Sequence, residues 1–554
     1  QMCIRDRFTT HTPVPAGIDR FPRELMERYF TNWCREVGIP FDELMEIGHE
    51  PGTAEGEVFN MAVMSLRLAG QTNAVSKLHA KVSRQMFAAV WPDLPVEEVP
   101  IRPVTNGVHA QTWASREMVD LFQRHLGSDW AEAPAERWGT LASVPPSEIW
   151  TVRRINRERL VRYVRRRLRQ IGLAKGMSES QVAWADDVLD PAVLTIGFAR
   201  RFATYKRANL ILRDVERFTR LLLNEERPVQ LIIAGKAHPA DEPGKQLLQA
   251  VANASADLDT RHRLIFLEDY DIAMAKVLIA GVDVWLNNPI RPMEACGTSG
   301  MKAALNGVLN CSILDGWWDE MFEPDIGWAI PSAEWQDDPA LRDDIEANGL
   351  YNLLEKQIVP LFYERDGDGL PIRWIERIKR MLVQLGPKVQ ATRMLRDYTE
   401  AFYEPAAERS EHLAADDYAR AKALVRWKRY IFRAWPSVTV QSTAVEPTGT
   451  NGDAYRFSAQ VTLGDLEPSD VDVQLVYGSA NPDDELIDPQ IVSMTDKGST
   501  DHPGWHRYEA EVEFTRAGNF GFTVRIVPSH PDLLSYTHLA RVAWAPSPTR
   551  PTLH

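Results

Sequence analysis

The chain has 554 residues, 44% of them hydrophobic and 25% charged, with a formal net charge of −14. That length allows two to four domains and a substantial core, and the acidic balance argues against a general nucleic-acid binder while fitting a neutral or small-anion substrate held by local positive charge. No apolar run approaches the length of a membrane span, no secretory signal opens the chain, and the four cysteines show neither metal spacing nor a disulfide framework. A cytoplasmic protein is therefore expected, with no metal, no membrane and no nucleic acid among its partners.

In chain order, residues 1–7 carry no pattern and read as foreign or frayed. His11 stands in Thr9-Thr-His-Thr-Pro, where a lone histidine beside prolines is more often structural than catalytic. Val75, Leu78, Val82, Met86 and Val90 recur at helical spacing and predict an amphipathic helix with those residues on its buried stripe. Thr105-Asn-Gly-Val-His-Ala-Gln-Thr-Trp113 contains an Asn-Gly turn signal. Residues 153–169 hold nine arginines. As a helix they form a solvated or salt-bridged face, with Leu160, Val164 and Leu168 as an apolar edge.

From Pro191 the texture changes. Residues 193–198, 229–234, 263–267, 282–286 and 308–314 are short β-rich apolar runs with helical stretches between most of them. This alternation predicts a parallel sheet covered by helices on both faces, with ligands at the carboxyl ends of its strands. Residues 341–427 read as mostly helical. Beyond Pro436, residues 438–445, 455–463, 471–477, 506–514 and 520–527 alternate or are β-branched, predicting an appended antiparallel β domain. The 17 tryptophans are read mainly as core.

Three stretches just past the β-rich runs carry chemistry. After residue 198, Arg200, Arg201, Lys206 and Arg207 place four cations within eight residues, a plausible anion clamp or simply a solvated loop. Phe266-Leu-Glu-Asp-Tyr270 holds a tyrosine that could serve packing alone. Glu294-Ala-Cys-Gly-Thr-Ser-Gly-Met-Lys-Ala-Ala-Leu-Asn-Gly holds one lysine, Lys302, in an otherwise uncharged run. Burial disfavours its ammonium. It either snorkels to solvent or condenses with an aldehyde cofactor. The Gly-Thr-Ser-Gly run offers backbone N–H groups to phosphate or hydroxyl oxygens.

This last stretch resembles the cofactor segment of the α-glucan phosphorylases, through its glutamate, Gly-Thr, Met-Lys and Leu-Asn-Gly. The other motifs resemble the family too, over nearly all of residues 8–435, and the β-rich tail resembles that of its shorter bacterial members. The resemblance implies that Lys302 carries pyridoxal 5′-phosphate, with Arg200, Tyr270, Thr298 and Ser299 at the cofactor phosphate and Trp113 packed on the cofactor. It implies that Arg201 and Lys206 hold the substrate phosphate. His11 and Tyr205 would face the sugar, and Asn106, Glu294 and backbone N–H groups near Gly297 would bind its hydroxyls. Two departures matter. Cys296 replaces a common serine, and Ala203 and Thr204 stand where animal members have His-Glu, which puts substrate contacts there in doubt.

The implied fold is α/β: a two-lobed, GT-B-like architecture with a doubly wound parallel sheet in the C-terminal lobe. The expected division is residues 1–115 from the N-terminal lobe, 116–390 as the Rossmann-like cofactor lobe, 391–435 as a helical return and 436–554 as the β domain. The implied reaction is phosphorolysis of α-1,4-glucans (glycogen or maltodextrin) by orthophosphate to glucose 1-phosphate, with the cofactor phosphate as proton relay. Family members carry a longer N-terminal lobe, so a chain complete as given is expected to turn over poorly. Two rival readings are a nucleotide-sugar glucosyltransferase of glycogen-synthase type and a non-catalytic glucan-binding protein. A homo-oligomer is left open.

Overall fold

The computed structural model describes residues 7–546, apart from 55, 258, 449–453, 483–484, 503 and 515–518. The patternless opening lies, up to residue 6, outside the described residues. Three parallel strands, β1 (Arg7–Thr10), β2 (Gln71–Ala74) and β3 (Ile101–Pro103), form a small sheet in that order. Helix α1 (Lys77–Phe87) starts where the Ser76 hydroxyl accepts the His79 N–H at 3.1 Å, an N-cap. Its buried face corrects the predicted stripe. His79, Ala80, Ser83 and Phe87 point inward, while Leu78, Val82 and Met86 stay half-buried. Small residues at 80 and 83 let the helix approach its neighbours closely, and the backbone at Thr10 offers His79 a hydrogen bond.

Helix α2 (Pro146–Ala174) carries the arginine run. Much of that run is salt-bridged, as expected; Arg159 pairs with Glu117, and Arg169 with Asp186 and Glu179. Arg153 and Arg157 differ, being 1% and 3% exposed. Arg153 donates to the carbonyls of Ala280 at 2.6 Å and Asn306 at 2.8 Å, and Arg157 donates to Asp283 at 3.1 Å. The buried Asp283 needs a countercharge and the interior carbonyls need donors, so these two arginines face inward.

The central sheet has six parallel strands: β4 (Leu194–Ala199), β5 (Val229–Ala234), β6 (Leu264–Leu267), β7 (Val284–Asn287), β8 (Leu309–Ile313) and β9 (Gly327–Ile330). Their order is β9-β8-β7-β4-β5-β6. Alternate residues feed two apolar clusters. Leu231 and Ile233 join one; Ile232 and Ala234 join the other with α2 and α3 (Ile272–Gly281). Both faces are thus covered, as the continuous apolar runs predict. β9, Gly-Trp-Ala-Ile, was not anticipated, because it is short and has a single β-branched residue. Trp130, Trp138, Trp285, Trp318 and Trp374 are fully buried, in line with the core reading of the tryptophans.

From Thr439 the chain forms two four-stranded antiparallel sheets. Phe457 and Val461 of one meet Leu475 and Ile526 of the other in a shared core. Leu486–Ser493, Thr495–Ser499 and Ala543–Trp544 are strands that the alternation did not reveal. This sandwich packs on the N-terminal region. Val527 and Val542 join the cluster of Ala74, Phe87 and Ile101, and the buried Arg525 bonds both carboxylate oxygens of Glu98 at 2.8 Å. Among the described residues no helix is long and apolar enough to cross a membrane.

Candidate active site

β4 and β7 are neighbours in the sheet, although β5 and β6 separate them in sequence. The winding reverses between them, and such a reversal opens a crevice at the carboxyl ends of the strands. A cavity of about 370 Å³ lies there. The loop after β4 supplies Arg200, Arg201, Tyr205 and Lys206; the segment after β7 supplies Glu294, Gly297, Thr298, Ser299 and Lys302; the N-terminal region supplies His11 and Asn106. All the expected site residues except Trp113 and Tyr270 line it. Those two pack against the same apolar cluster under the sheet.

Glu294 is 7% exposed, and its carboxylate pairs with Arg200 and with Lys206, the latter at 3.7 Å. Burial opposes its charge, yet the two cations outweigh that and hold its carboxyl below the ordinary range. Lys206 is pulled down to about 8, first by burial and then by the neighbouring Arg200, against the pull of Glu294. Burial also lowers Lys302 and His11, and with Glu294's charge it raises Tyr205 to about 12. Arg200 is 7% exposed, and its Nη1 has no hydrogen-bond partner among the described residues. Burying an unpaired guanidinium N–H is costly, so the site is short of an acceptor.

Lys302 lies on α4 (Thr298–Ala304), which begins after Gly297 in a left-handed conformation, φ 83°. A Cβ at Gly297 would lie 3.3 Å from Glu294 Cγ. The Lys302 Nζ lies 3.8 Å from the centre of the Trp113 ring. Ser299 Oγ accepts from Trp285 Nε1 at 3.2 Å.

Sequence reasoning left three contributors unassigned. Asn306 is fully buried; its amide donates to the carbonyls of Trp113 and Lys302, both at 2.8 Å, and accepts the Ser115 N–H at 2.7 Å. It therefore fixes lysine and tryptophan together. Its place in the Leu-Asn-Gly motif was the signal. Arg393 donates to the carbonyls of Thr105 and Asn106 at 2.7 and 2.9 Å, holding the Asn106 loop from 287 residues away in sequence. Asp315, just past β8, accepts the N–H groups of Glu294 at 3.0 Å and Gly316 at 2.8 Å. Burial raises its carboxyl to about 7, with Glu294's charge adding to the rise. No local pattern announced Arg393 or Asp315.

A family model described as carbohydrate phosphorylase matches residues 8–324, and one described as glycogen phosphorylase C-terminal domain matches residues 435–546. The chain is 46% identical over 547 residues to a protein named glycogen phosphorylase from Mycobacterium tuberculosis, covering 97% of this chain and 63% of that relative. It is 36% identical over 542 residues to a maltodextrin phosphorylase of Thermococcus litoralis, covering 97% of this chain and 62% of that relative. A glycogen phosphorylase of Aquifex aeolicus is 42% identical over 399 residues, covering 72% of this chain and 56% of that relative. The chain thus spans less than two thirds of the length of these relatives.

Proposed function

The chain belongs to the carbohydrate phosphorylase family, and we propose that it transfers the terminal glucosyl unit of an α-1,4-glucan to orthophosphate, releasing α-glucose 1-phosphate. In that reaction a phosphate oxygen bonds to the anomeric carbon, the bond from that carbon to the glycosidic oxygen breaks, and the departing oxygen takes up a proton. The observation that carries the reading is the convergence of Arg200, Arg201 and Lys206 with Glu294 and Lys302 in one cavity at the sheet's reversal point.

The residues fit pyridoxal 5′-phosphate. Lys302 offers an amine of lowered basicity beside an aromatic face, and the unpartnered Nη1 of Arg200 calls for an anionic acceptor. When bound, that cofactor supplies an acid–base phosphate group, its electron-sink chemistry being idle. Arg200, Thr298 and Ser299 are assigned to its phosphate and Trp113 to its ring. Tyr270 is assigned to the phosphate on the resemblance alone.

Two phosphates brought close repel, so cations are compulsory. Arg201 and Lys206 take that role, and with a pKa of about 8 most of Lys206 is charged at neutral pH. Glu294, Asn106 and the Gly297 N–H orient the glucosyl hydroxyls, with Tyr205 and His11 facing the sugar. Glu294 stays ionised because Arg200 and Lys206 flank it, so it can accept hydroxyl protons in hydrogen bonds. Water at the reacting carbon would compete as hydrolysis, so the reaction requires a cleft that keeps it out.

The same proposal includes the two-lobed, GT-B-like arrangement, the division at residues 115, 390 and 435, and a cytoplasmic setting. Its test is phosphate-dependent glucose 1-phosphate release from maltoheptaose by the chain loaded with pyridoxal 5′-phosphate. Release that needs phosphate and is lost in Lys302→Ala supports it. Glucosyl transfer from a nucleotide sugar without cofactor overturns it.

A further inference from the structure

Arg207 directly follows Lys206, yet it does not line the cavity. It is 2% exposed, and its backbone is left-handed at φ 47°, a region that non-glycine residues seldom occupy. What holds it there is a full set of partners. Its guanidinium donates to the carbonyls of Asn288 at 3.0 Å and Pro289 at 2.9 Å, to Asp343 at 2.8 Å and to Glu346 at 2.5 Å. Its own carbonyl accepts from the Asn288 amide at 2.9 Å. Two residues earlier, the Tyr205 carbonyl accepts the Ile290 N–H at 2.7 Å.

Residues 288–290 follow β7 and lead to Glu294. The turn at 204–206 follows β4 and ends on Lys206. Arg207 therefore joins the two loops that flank the sheet's reversal point, and those loops carry opposite charges of the site. Its anchor is rigid. Glu346 is fully buried on α5 (Pro339–Leu353), where it also accepts the Ala333 N–H at 2.9 Å and Arg342 Nε at 2.9 Å. Only a planar fork can serve two carbonyls and two carboxylates at once; an ammonium cannot.

We propose that Arg207 is a positioning residue that locks the turn bearing Tyr205 and Lys206 onto the loop leading to Glu294, and so sets the register of the anion-binding cations. The proposal rests on the reading of the cleft as a phosphate site. Arg207 acts through Lys206 and touches no reacting atom.

Two measurements on the full chain loaded with pyridoxal 5′-phosphate test it. The first is the titration midpoint of Lys206, read by amine labelling and mass spectrometry across pH. In the native chain Lys206 is held near 8 by burial and by Arg200 and Arg201, against the opposing pull of Glu294. In Arg207→Gln the turn loosens toward solvent, and the midpoint moves up toward the ordinary 10.5, while labelling of Trp113-backed Lys302 stays as in the native chain. The second is calorimetric affinity for inorganic phosphate, expected to fall at least tenfold in Arg207→Gln and only partly to recover in Arg207→Lys. Should Arg207→Gln not fold, Asp343→Asn removes one of the four acceptors and shifts both readouts less, in the same direction. A variant that loses thermal stability while keeping the Lys206 midpoint and the phosphate affinity overturns the proposal. Absent phosphate affinity in the native chain overturns the reading of the cleft, and the Lys206 midpoint then decides Arg207's role by itself.

Discussion

The ammonium nitrogen of Lys302 sits 3.8 Å from the centre of the Trp113 ring, and the Asn306 amide bonds the backbones of both residues. The ring is also assigned to pack on the cofactor, and an aromatic face contact of that kind is worth about 0.5–1.5 kcal/mol. Trp113→Leu should therefore weaken retention of pyridoxal 5′-phosphate by roughly 2- to 12-fold. Absorbance titration of the cofactor-free chain measures this. Equal affinity in the variant would show that the ring contributes nothing to the site.

Glu294→Gln leaves Arg200 and Lys206 without their anion, with side chains only 4% and 14% exposed. Breaking such a buried set costs about 3–5 kcal/mol. Urea unfolding should show that loss. Added inorganic phosphate should restore part of it, because a ligand that binds only the folded state stabilises it. Stability that ignores phosphate would argue against an anion site at these cations.

Asp315 gives a pH signature. Its folded pKa of about 7 lies above the ordinary 3.8, so between those values the folded state holds a proton that the unfolded state has released. Its contribution to stability is present below about 3.8, declines as pH rises, and is gone above about 7. The slope is on the order of 1.4 kcal/mol per pH unit. Asp315→Asn gives up one good acceptor but has no charge to desolvate. Its stability deficit should shrink as pH rises from about 5 to about 8; a constant deficit in urea midpoints would refute the assignment.

His79 behaves in the opposite sense. Burial, with His11 nearby, lowers its pKa from 6.5 to about 4. Between those values the unfolded chain binds the extra proton, so stability falls as pH falls from 6.5 toward 4. His79→Gln should flatten that part of the acid-denaturation curve. An unchanged curve would mean the imidazole reaches solvent.

Arg525 has a fully buried side chain, bridges the β sandwich to Glu98 and also donates to the Tyr536 hydroxyl of its own region. Arg525→Leu leaves the 21% exposed Glu98 carboxylate with the Tyr536 hydroxyl as its remaining side-chain partner and should cost about 1–3 kcal/mol. Because the sandwich has a core of its own, calorimetry should resolve a separate transition for it once this link is gone. A single, unshifted transition would falsify the idea that this pair secures the docking.

The central strands were legible in the sequence because strands buried on both faces need unbroken apolar runs, and those runs survive as local patterns. β9 and the edge strands of the sandwich were not, since a short or half-solvated strand leaves no such trace. Likewise Lys302, Glu294 and the cations after β4 could be picked out as candidates, because each sits in a contiguous segment that resembles a motif of one family. What brought them within one cavity was the strand order β9-β8-β7-β4-β5-β6, a long-range pairing that no local pattern specifies. Arg393, Asp315 and the inward turn of Arg153 belong to that same level. Each is defined by a backbone group or a charge that arrives from far along the chain, so only the packed structure could decide its partner.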